Sequence, residues 1–248
     1  MLKSGIVVPT RGDRTDYLTE CLSSIQAAGY KVVIVVAPER LTLPHLSNVL
    51  IRQEQDTGEG AASAINIGLK TLIEDEQCKI VGWLGDDDSL EADSLVKLAA
   101  EMDASSAVAA VGYCRYVDEI GSLLHTSRPR KVTIRLLEYW SNGIPQPGSI
   151  FSADALKEVG YLDERLKYAF DQDLFHKLKK KGPIAICKSI VSTYRWHPFS
   201  LSSAGRVESA EESQMLRLSH GHWAMRPFTR SWFSLYKALS RILPSTLP

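Results

Sequence analysis

Two short apolar runs, Gly5 to Val8 and Lys31 to Val36, are each followed by a proline, Pro9 and Pro38, and the stretch between them keeps a different period. Runs this short, rich in β-branched residues and stopped by proline, read as strands buried on both faces. From Asp16 to Ala28 the residues Tyr17, Leu18, Cys21, Leu22 and Ile25 recur at helical spacing, and Gly29 closes the segment. Strand, helix and strand in succession make a βαβ unit. The alternation continues: Val49 to Arg52 reads as a strand, Ala61 to Ile73 as a helix with small residues along one side, and Ile80 to Leu84 as a strand. Leu90 to Met102 then reads as a helix and Ala107 to Tyr113 as a strand. Such a pattern predicts an α/β fold, a mainly parallel central sheet flanked by helices, with ligands gathering outside the carboxyl ends of the strands.

Beyond Tyr113 the pattern loosens. Asp118-Glu119-Ile120-Gly121 suits a turn between two extended pieces, and Arg128 to Gly148 mixes prolines, glycines and aromatic residues without a period, as loop with short helix does. Ala153 to Val159 and Asp171 to Lys181 read as helices and Val191 to Tyr194 as a strand. With 248 residues, 44% of them hydrophobic, the chain can bury a core of its own. We expect residues 1–205 to form one main domain and 206–248 a helical, basic and aromatic-rich extension. No acidic residue follows Ser213, whereas Arg217, Arg226, Arg230, Lys237 and Arg241 do, and Thr229 to Leu243 has the spacing of an amphipathic helix ended by Pro244. Such a helix either packs on the protein or lies in the headgroup layer of an anionic membrane.

Lysine plus arginine and aspartate plus glutamate number 29 each, so no global field draws in nucleic acid, and no nucleic-acid partner is expected. Cys21, Cys78, Cys114 and Cys187 show no paired spacing, which suits free thiols in a reducing compartment better than zinc or disulfides. The apolar run before Pro9 is too short for a signal peptide, and no stretch approaches the roughly 20 apolar residues of a spanning helix. A cytoplasmic protein is the expectation, with peripheral membrane contact through the tail as an addition to it. Oligomeric state leaves no mark in the sequence.

The strongest chemical signal is Asp86-Asp87-Asp88, placed after the apolar strand and the flexible Gly85. In an extended segment alternate side chains share a face, so Asp86 and Asp88 would point together and Asp87 away. Two carboxylates at a strand end are half of a site for a hard divalent cation, Mn2+ or Mg2+, which completes its shell with water and substrate phosphates. The competing reading is structural, with Asp88 or Ser89 capping the helix that starts near Leu90.

The order of several motifs resembles the family 2 glycosyltransferases. Val7-Val8-Pro9-Thr10-Arg11 is similar to that family's first strand end, and Gly58, Ala64, Asn66 and Gly68 to its Gly, Ala, Asn-x-Gly loop. Trp83 to Leu90 is similar to its metal motif, while Gln146 to Ser149, Gly160 to Glu164 and Tyr168 to Leu174 are similar to its acceptor-side signature. Arg195-Trp196-His197-Pro198, with Ser200 and Ser203, resembles its closing Arg-x-His element. The likeness runs through residues 5–205 in the family's order, which is far more specific than any one motif.

The resemblance implies a GT-A fold and transfer, with inversion, of a sugar from a nucleotide diphosphate to a glycan or lipid-linked hydroxyl, in glycan or cell-envelope polysaccharide synthesis. It implies Asp171 as the base for that hydroxyl; the alternative is a helix N-cap, and Asp173 is the more structural acid. It implies metal bound by Asp86 and Asp88, with His197 as a third ligand or phosphate contact and Arg195 beside it. For the donor it implies Pro9, Thr10, Arg11, Glu39, Asp56, Gly58, Asn66, Asp86 and Asp87, with Arg14 a further candidate for phosphate. Ala37-Pro38-Glu39 stands where the family carries an acidic pair, so uridine leads but thymidine and guanosine remain open. Two rivals stay in view. A nucleotidyltransferase would want a glycine-rich basic loop after the first strand, and Pro9 to Arg14 holds one glycine. A non-catalytic carbohydrate- or nucleotide-binding scaffold would not need Asp86, Asp88, Asp171 and His197 together.

Overall fold

The computed structural model describes residues 2–38, 41–139, 143–197 and 205–221. The first parallel layer is built from β1 (Ser4–Pro9), β2 (Val32–Ala37), β3 (Leu50–Gln55) and β4 (Ile80–Trp83), which pair in the order β3-β2-β1-β4. Their side chains alternate across the sheet, as strand geometry requires. Val7, Ile34 and Val36 enter one core and Ile6, Val8, Val33 and Val35 the other.

The second core is roofed by α1 (Thr15–Ala28), through Leu18, Leu22 and Ile25, and by α3 (Ser94–Ala104), through Leu95, Leu98 and Met102. The first is roofed by α2 (Ala61–Lys70), α5 (Ala153–Val159) and α6 (Phe170–Lys179). Gly68 lets α2 press on β1, since a Cβ there would stand 2.5 Å from Val7 Cγ1. The helix expected to run on to Ile73 does so, with its last turn, Thr71–Asp75, widened to a π-helix.

The far half of the sheet is mixed. β8 (Ile150–Ser152) inserts between β4 and β6 (Ala109–Val117), antiparallel to both, and β9 (Ile184–Arg195) runs parallel to β6. Residues 118–122 make the expected turn, folding β7 (Leu123–Ser127) back on β6 as a hairpin in which the Asp118 carboxylate accepts the N–H groups of Ile120 and Ser122. The short α4 (Lys131–Leu136) follows at once.

One boundary moved in a way that matters for the site. The expected helix from Leu90 starts only at Ser94, because Ser89–Leu90 form β5, paired with Ser192 and Thr193 of β9. Asp88 and Ser89 therefore do not cap that helix. The pairing joins residues about a hundred positions apart, a distance over which local periodicity is blind.

α7 (Arg206–His220) lies against α6, where His220 stacks on His176 with ring centroids 4.7 Å apart. The tail segment Thr229 to Leu243 lies outside the described residues. All four cysteines are buried free thiols, and no described helix is long and apolar enough to cross a membrane.

Candidate functional site

The carboxyl ends of β1 to β4 lie side by side, and the loops that leave them carry the chemistry. Thr10, just past β1, donates its backbone N–H to Val36 O at 2.9 Å and its hydroxyl to Asp86 Oδ2 at 2.5 Å. Arg14, leading into α1, reaches across: Nη2 donates to Asp86 Oδ1 at 3.0 Å and Nη1 to Asp87 Oδ2 at 2.8 Å. His197, buried after β9, brings Nε2 to 2.7 Å from that same Asp87 oxygen and 2.6 Å from Arg14 Nη1.

The acidic triplet is not extended. Asp88 N–H donates to Gly85 O at 3.1 Å, closing a turn over Asp86 and Asp87. The period-two argument therefore fails here: Asp86 and Asp87 share Arg14, while Asp88 turns toward β9 and accepts the backbone N–H of Arg195 at 2.9 Å. His197 stands with Asp87 rather than between Asp86 and Asp88.

Electrostatics reflect this crowding. Burial raises the Asp86 carboxyl above the usual range, against the lowering pull of the Thr10 hydroxyl and Arg14. Burial, then the charge of Asp87, push Asp88 well up, although the Arg195 N–H opposes them. Burial would lower Arg14, but Asp86 and Asp87 outweigh it and hold the guanidinium charged. Asp86 and Asp87 share the Arg14 guanidinium and Asp88 feels the charge of Arg195, so three carboxylates meet two guanidiniums in a sheltered place whose donor atoms are hard oxygens.

Arg195 is committed elsewhere. Its Nη2 donates to both Glu20 oxygens at 3.1 and 2.9 Å, its guanidinium lies over the Tyr17 ring, and its Nε and Nη1 donate to Asp87 O and Glu119 O, each at 3.3 Å. It clamps α1, the acidic turn and the β6–β7 hairpin together.

Asp171 is not the N-cap of its helix, although its carboxylate accepts the first-turn N–H of Gln172 at 2.7 Å. The N-cap is Ala169, which has no side chain for the task, and Asp171 lies in the first turn. The segment that leads into the helix is held from α7: Glu212 accepts the N–H groups of Lys167, Tyr168 and Ala169 at 2.9, 2.8 and 2.8 Å. Asp171 and Asp88 both act electrostatically on the Tyr116 phenol, which is raised first by burial and then by Cys114, Tyr194, Asp88 and Asp171. The Tyr116 ring itself stacks on His125, with centroids 4.2 Å apart, and leans on Tyr194. Asp173 is buried, paired with Lys177 at 2.6 Å and with His220 at 3.2 Å, a structural acid as expected.

The other expected donor residues divide. Asp56 follows β3, and its carboxylate accepts Gly58 N–H in a tight turn where Gly58 has φ +80°. Arg11 is exposed and, among the described residues, meets Asp13 at 3.8 Å, so of the two loop arginines it is Arg14 that enters the cluster. Asn66 is buried away from solvent with its amide spent on the loop before α6: it donates to Leu162 O and Glu164 Oε1 and accepts Leu162 N–H. A cavity of about 360 Å³ opens beside it, lined by Lys70, Tyr161, Arg165 and Lys177 among others but by none of Asp86, Asp88, Asp171 and His197. Glu39, Pro198, Ser200 and Ser203 lie outside the described residues. Sequence reasoning passed over Tyr116 and Glu212; strand alternation points Tyr116 to one face of β6, whereas nothing local marks Glu212.

No protein-family model matches the chain, and no curated protein does. Solved structures do. The fold is that of S. aureus TarS. Against TarS residues 1–349 in complex with UDP-GlcNAc the TM-score is 0.66 at 19% identity, covering 88% of this chain and 66% of that one. Against the same piece of TarS in complex with UDP it is 0.63 at 19% identity, covering 88% and 65%. Against a longer TarS structure it is 0.64 at 19% identity, covering 94% and 43%. This chain therefore spans about two thirds of the shorter TarS structures and less than half of the longer one.

Proposed function

We propose that this chain is a glycosyltransferase that moves a sugar from a nucleoside diphosphate, UDP in first place, to a hydroxyl acceptor with inversion. The observation that carries the reading is the buried Asp86-Asp87-Asp88 turn at the end of β4, held by Thr10 and Arg14, on a fold shared with TarS structures in complex with UDP and UDP-GlcNAc. The acceptor O–H gives its proton to the Asp171 carboxylate as its oxygen attacks the anomeric carbon, and the bond from that carbon to the diphosphate oxygen breaks. Attack from the face opposite the leaving group inverts the centre. Arg14 offers the departing phosphates a fixed cation from the N-terminal end of α1.

Asp86 and Asp88, with His197 near Asp87, are the residues that would hold Mn2+ or Mg2+. Among the described residues no group of three acidic, histidine or cysteine side chains is set to hold an ion, and Asp88 turns from Asp86 toward β9, so a hard cation would draw most of its ligands from phosphate and water. Such an ion supplies Lewis-acid stabilisation of the leaving diphosphate. The glycan or lipid-linked hydroxyl is the class of acceptor proposed.

The test is calorimetric titration of UDP and UDP-GlcNAc into the full chain with and without Mn2+, repeated with Asp88→Ala. Metal-dependent binding by the wild-type chain, lost in a folded Asp88→Ala variant, is the expected result. Absence of nucleotide binding in either condition would point to the scaffold reading, and equal binding by Asp88→Ala would remove the metal from it.

A further inference from the structure

The acidic turn already holds a cation, and that cation belongs to the chain. The Arg14 guanidinium bridges two neighbouring carboxylates, with Nη2 3.0 Å from Asp86 Oδ1 and Nη1 2.8 Å from Asp87 Oδ2. A divalent cation bonded to either carboxylate would stand beside this positive charge at ion-pair distance, where like charges in a sheltered site repel strongly. The guanidinium is the member of the cluster that borders solvent: its side chain is 28% exposed, against 6% for Asp86 and 13% for Asp87. Its backbone is fixed at the head of α1, where Leu18 N–H donates to Arg14 O at 3.0 Å, and exposed Asp13 lies 3.8 Å from its Nε. The side chain can therefore turn outward without moving the helix. Thr10 has no such freedom, because it is buried and its hydroxyl oxygen also accepts the N–H of Gly12.

A second observation marks the bridge as one that yields. His197 Nε2, Asp87 Oδ2 and Arg14 Nη1 form a triangle with sides of 2.7, 2.8 and 2.6 Å. The arginine nitrogen can only donate and the ionised carboxylate can only accept. A proton on His197 Nε2 serves Asp87 and faces Nη1 as donor against donor. A bare Nε2 accepts from Nη1 and faces Asp87 as acceptor against acceptor. One side of the triangle is repulsive in either state, and withdrawal of Nη1 leaves the His197 N–H free to donate to Asp87 alone. The same withdrawal strips Asp86 and Asp87 of their counter-charge, so it is favourable when another cation takes over that charge.

We propose that Arg14 is a latch on the acidic turn, an inference that rests on reading the site as one for a nucleoside diphosphate with Mn2+ or Mg2+. The guanidinium holds Asp86 and Asp87 until the donor arrives, then passes to the donor's phosphates and hands the negative charge of the two carboxylates over to the divalent cation. The latch makes the turn a poor site for a bare cation and a good one for a cation that comes with phosphate. Cation and nucleotide are thereby coupled through one side chain.

Mn2+ titration of the full chain without nucleotide, followed by loss of the paramagnetic resonance signal of the free ion, tests it. Arg14→Gln should bind Mn2+ at least about tenfold more tightly than the wild-type chain. Arg14→Lys keeps the charge but cannot bridge two carboxylates as the planar guanidinium does. It should also bind Mn2+ more tightly than wild type, which keeps the test open should Arg14→Gln fold poorly. Arg11→Gln, which removes an exposed charge from the same loop, should leave Mn2+ affinity within about twofold of wild type. With UDP added, and uptake by UDP alone subtracted, the gap between wild type and Arg14→Gln should shrink. Equal affinity of wild type and both Arg14 variants without UDP overturns the latch, as does a gain in Arg11→Gln as large as in Arg14→Gln. UDP-dependent uptake by the wild-type chain in those cases leaves the cation reading in place. No Mn2+ uptake by any of these proteins, even with UDP, overturns the latch and that reading together.

Discussion

Arg14 is shared among more carboxylates than it can neutralise. Asp86 and Asp87 take its two terminal nitrogens, His197 crowds the same Nη1, and Asp88 is left with a backbone N–H. This imbalance is what a phosphate–metal pair would relieve, and the composition of the cluster was legible from the residues: Thr10, Arg14, Asp86 and His197 were all marked. What escaped was geometry, since an acidic triplet after a glycine reads equally as strand or turn, and the turn exchanged the partners of Asp87 and Asp88. Asp171 is the residue whose chemistry is most directly testable. Asp171→Asn keeps the size of the side chain and removes its basicity, so donor affinity should hold while turnover falls about a hundredfold or more. Steady-state rates of UDP release beside a binding isotherm would check both halves, and full turnover in this variant would remove Asp171 from the base role.

At the scale of elements, helix α6 is completed by a helix that follows it in the chain. The first N–H groups of any helix lack partners within it, and a residue such as Ala169 cannot supply one. Glu212 of α7 instead pins the segment that leads in, accepting the N–H groups of Lys167, Tyr168 and the N-cap Ala169 in three charge-assisted bonds next to the positive end of the α6 dipole, while Asp171 itself accepts the N–H of Gln172. Glu212→Gln should cost about 1–2 kcal/mol in urea unfolding, and turnover should drop with little change in donor KM because the first turn carries Asp171. A loss of stability without any change in turnover would show the anchor to be structural only. Elements whose signal is local were readable: α5 has the expected bounds, and α1 and β1 differ from theirs by a residue. β8, β5 and most of β9 were not, because three-residue and two-residue strands exist only through partners far along the chain.

For the molecule as a whole, acid should act through the seam between α6 and α7. His176 is held neutral, its pKa lowered to about 3 by burial first and then by His220, Lys179, Lys180 and Arg217. The unfolded chain protonates this residue near 6.5, the ordinary value for a histidine, and the folded one does not until about 3. Stability contributed by the neutral ring is therefore whole above pH 6.5 and is lost as pH falls toward 3, by up to about 1.4 kcal/mol per pH unit. Asp86 and Asp88, raised by burial, act with the opposite sign in acid, so the variant His176→Phe isolates the effect. Urea midpoints between pH 7 and pH 4 should fall less steeply for His176→Phe than for the wild-type chain, and parallel curves would remove His176 from the account.

The contact from Glu212 to the N–H groups of Lys167, Tyr168 and Ala169 also orders events in time. A ribosome delivers α6 well before α7, so on the nascent chain the first turn of α6 stands without its anion while the sheet and both cores can already assemble. The segment that leads into the turn carrying Asp171 is pinned only when Glu212 leaves the exit tunnel. The body of the protein is thus ready before its proposed base is, and a chain interrupted after β9 but before α7 would keep its sheet and lack that anchor.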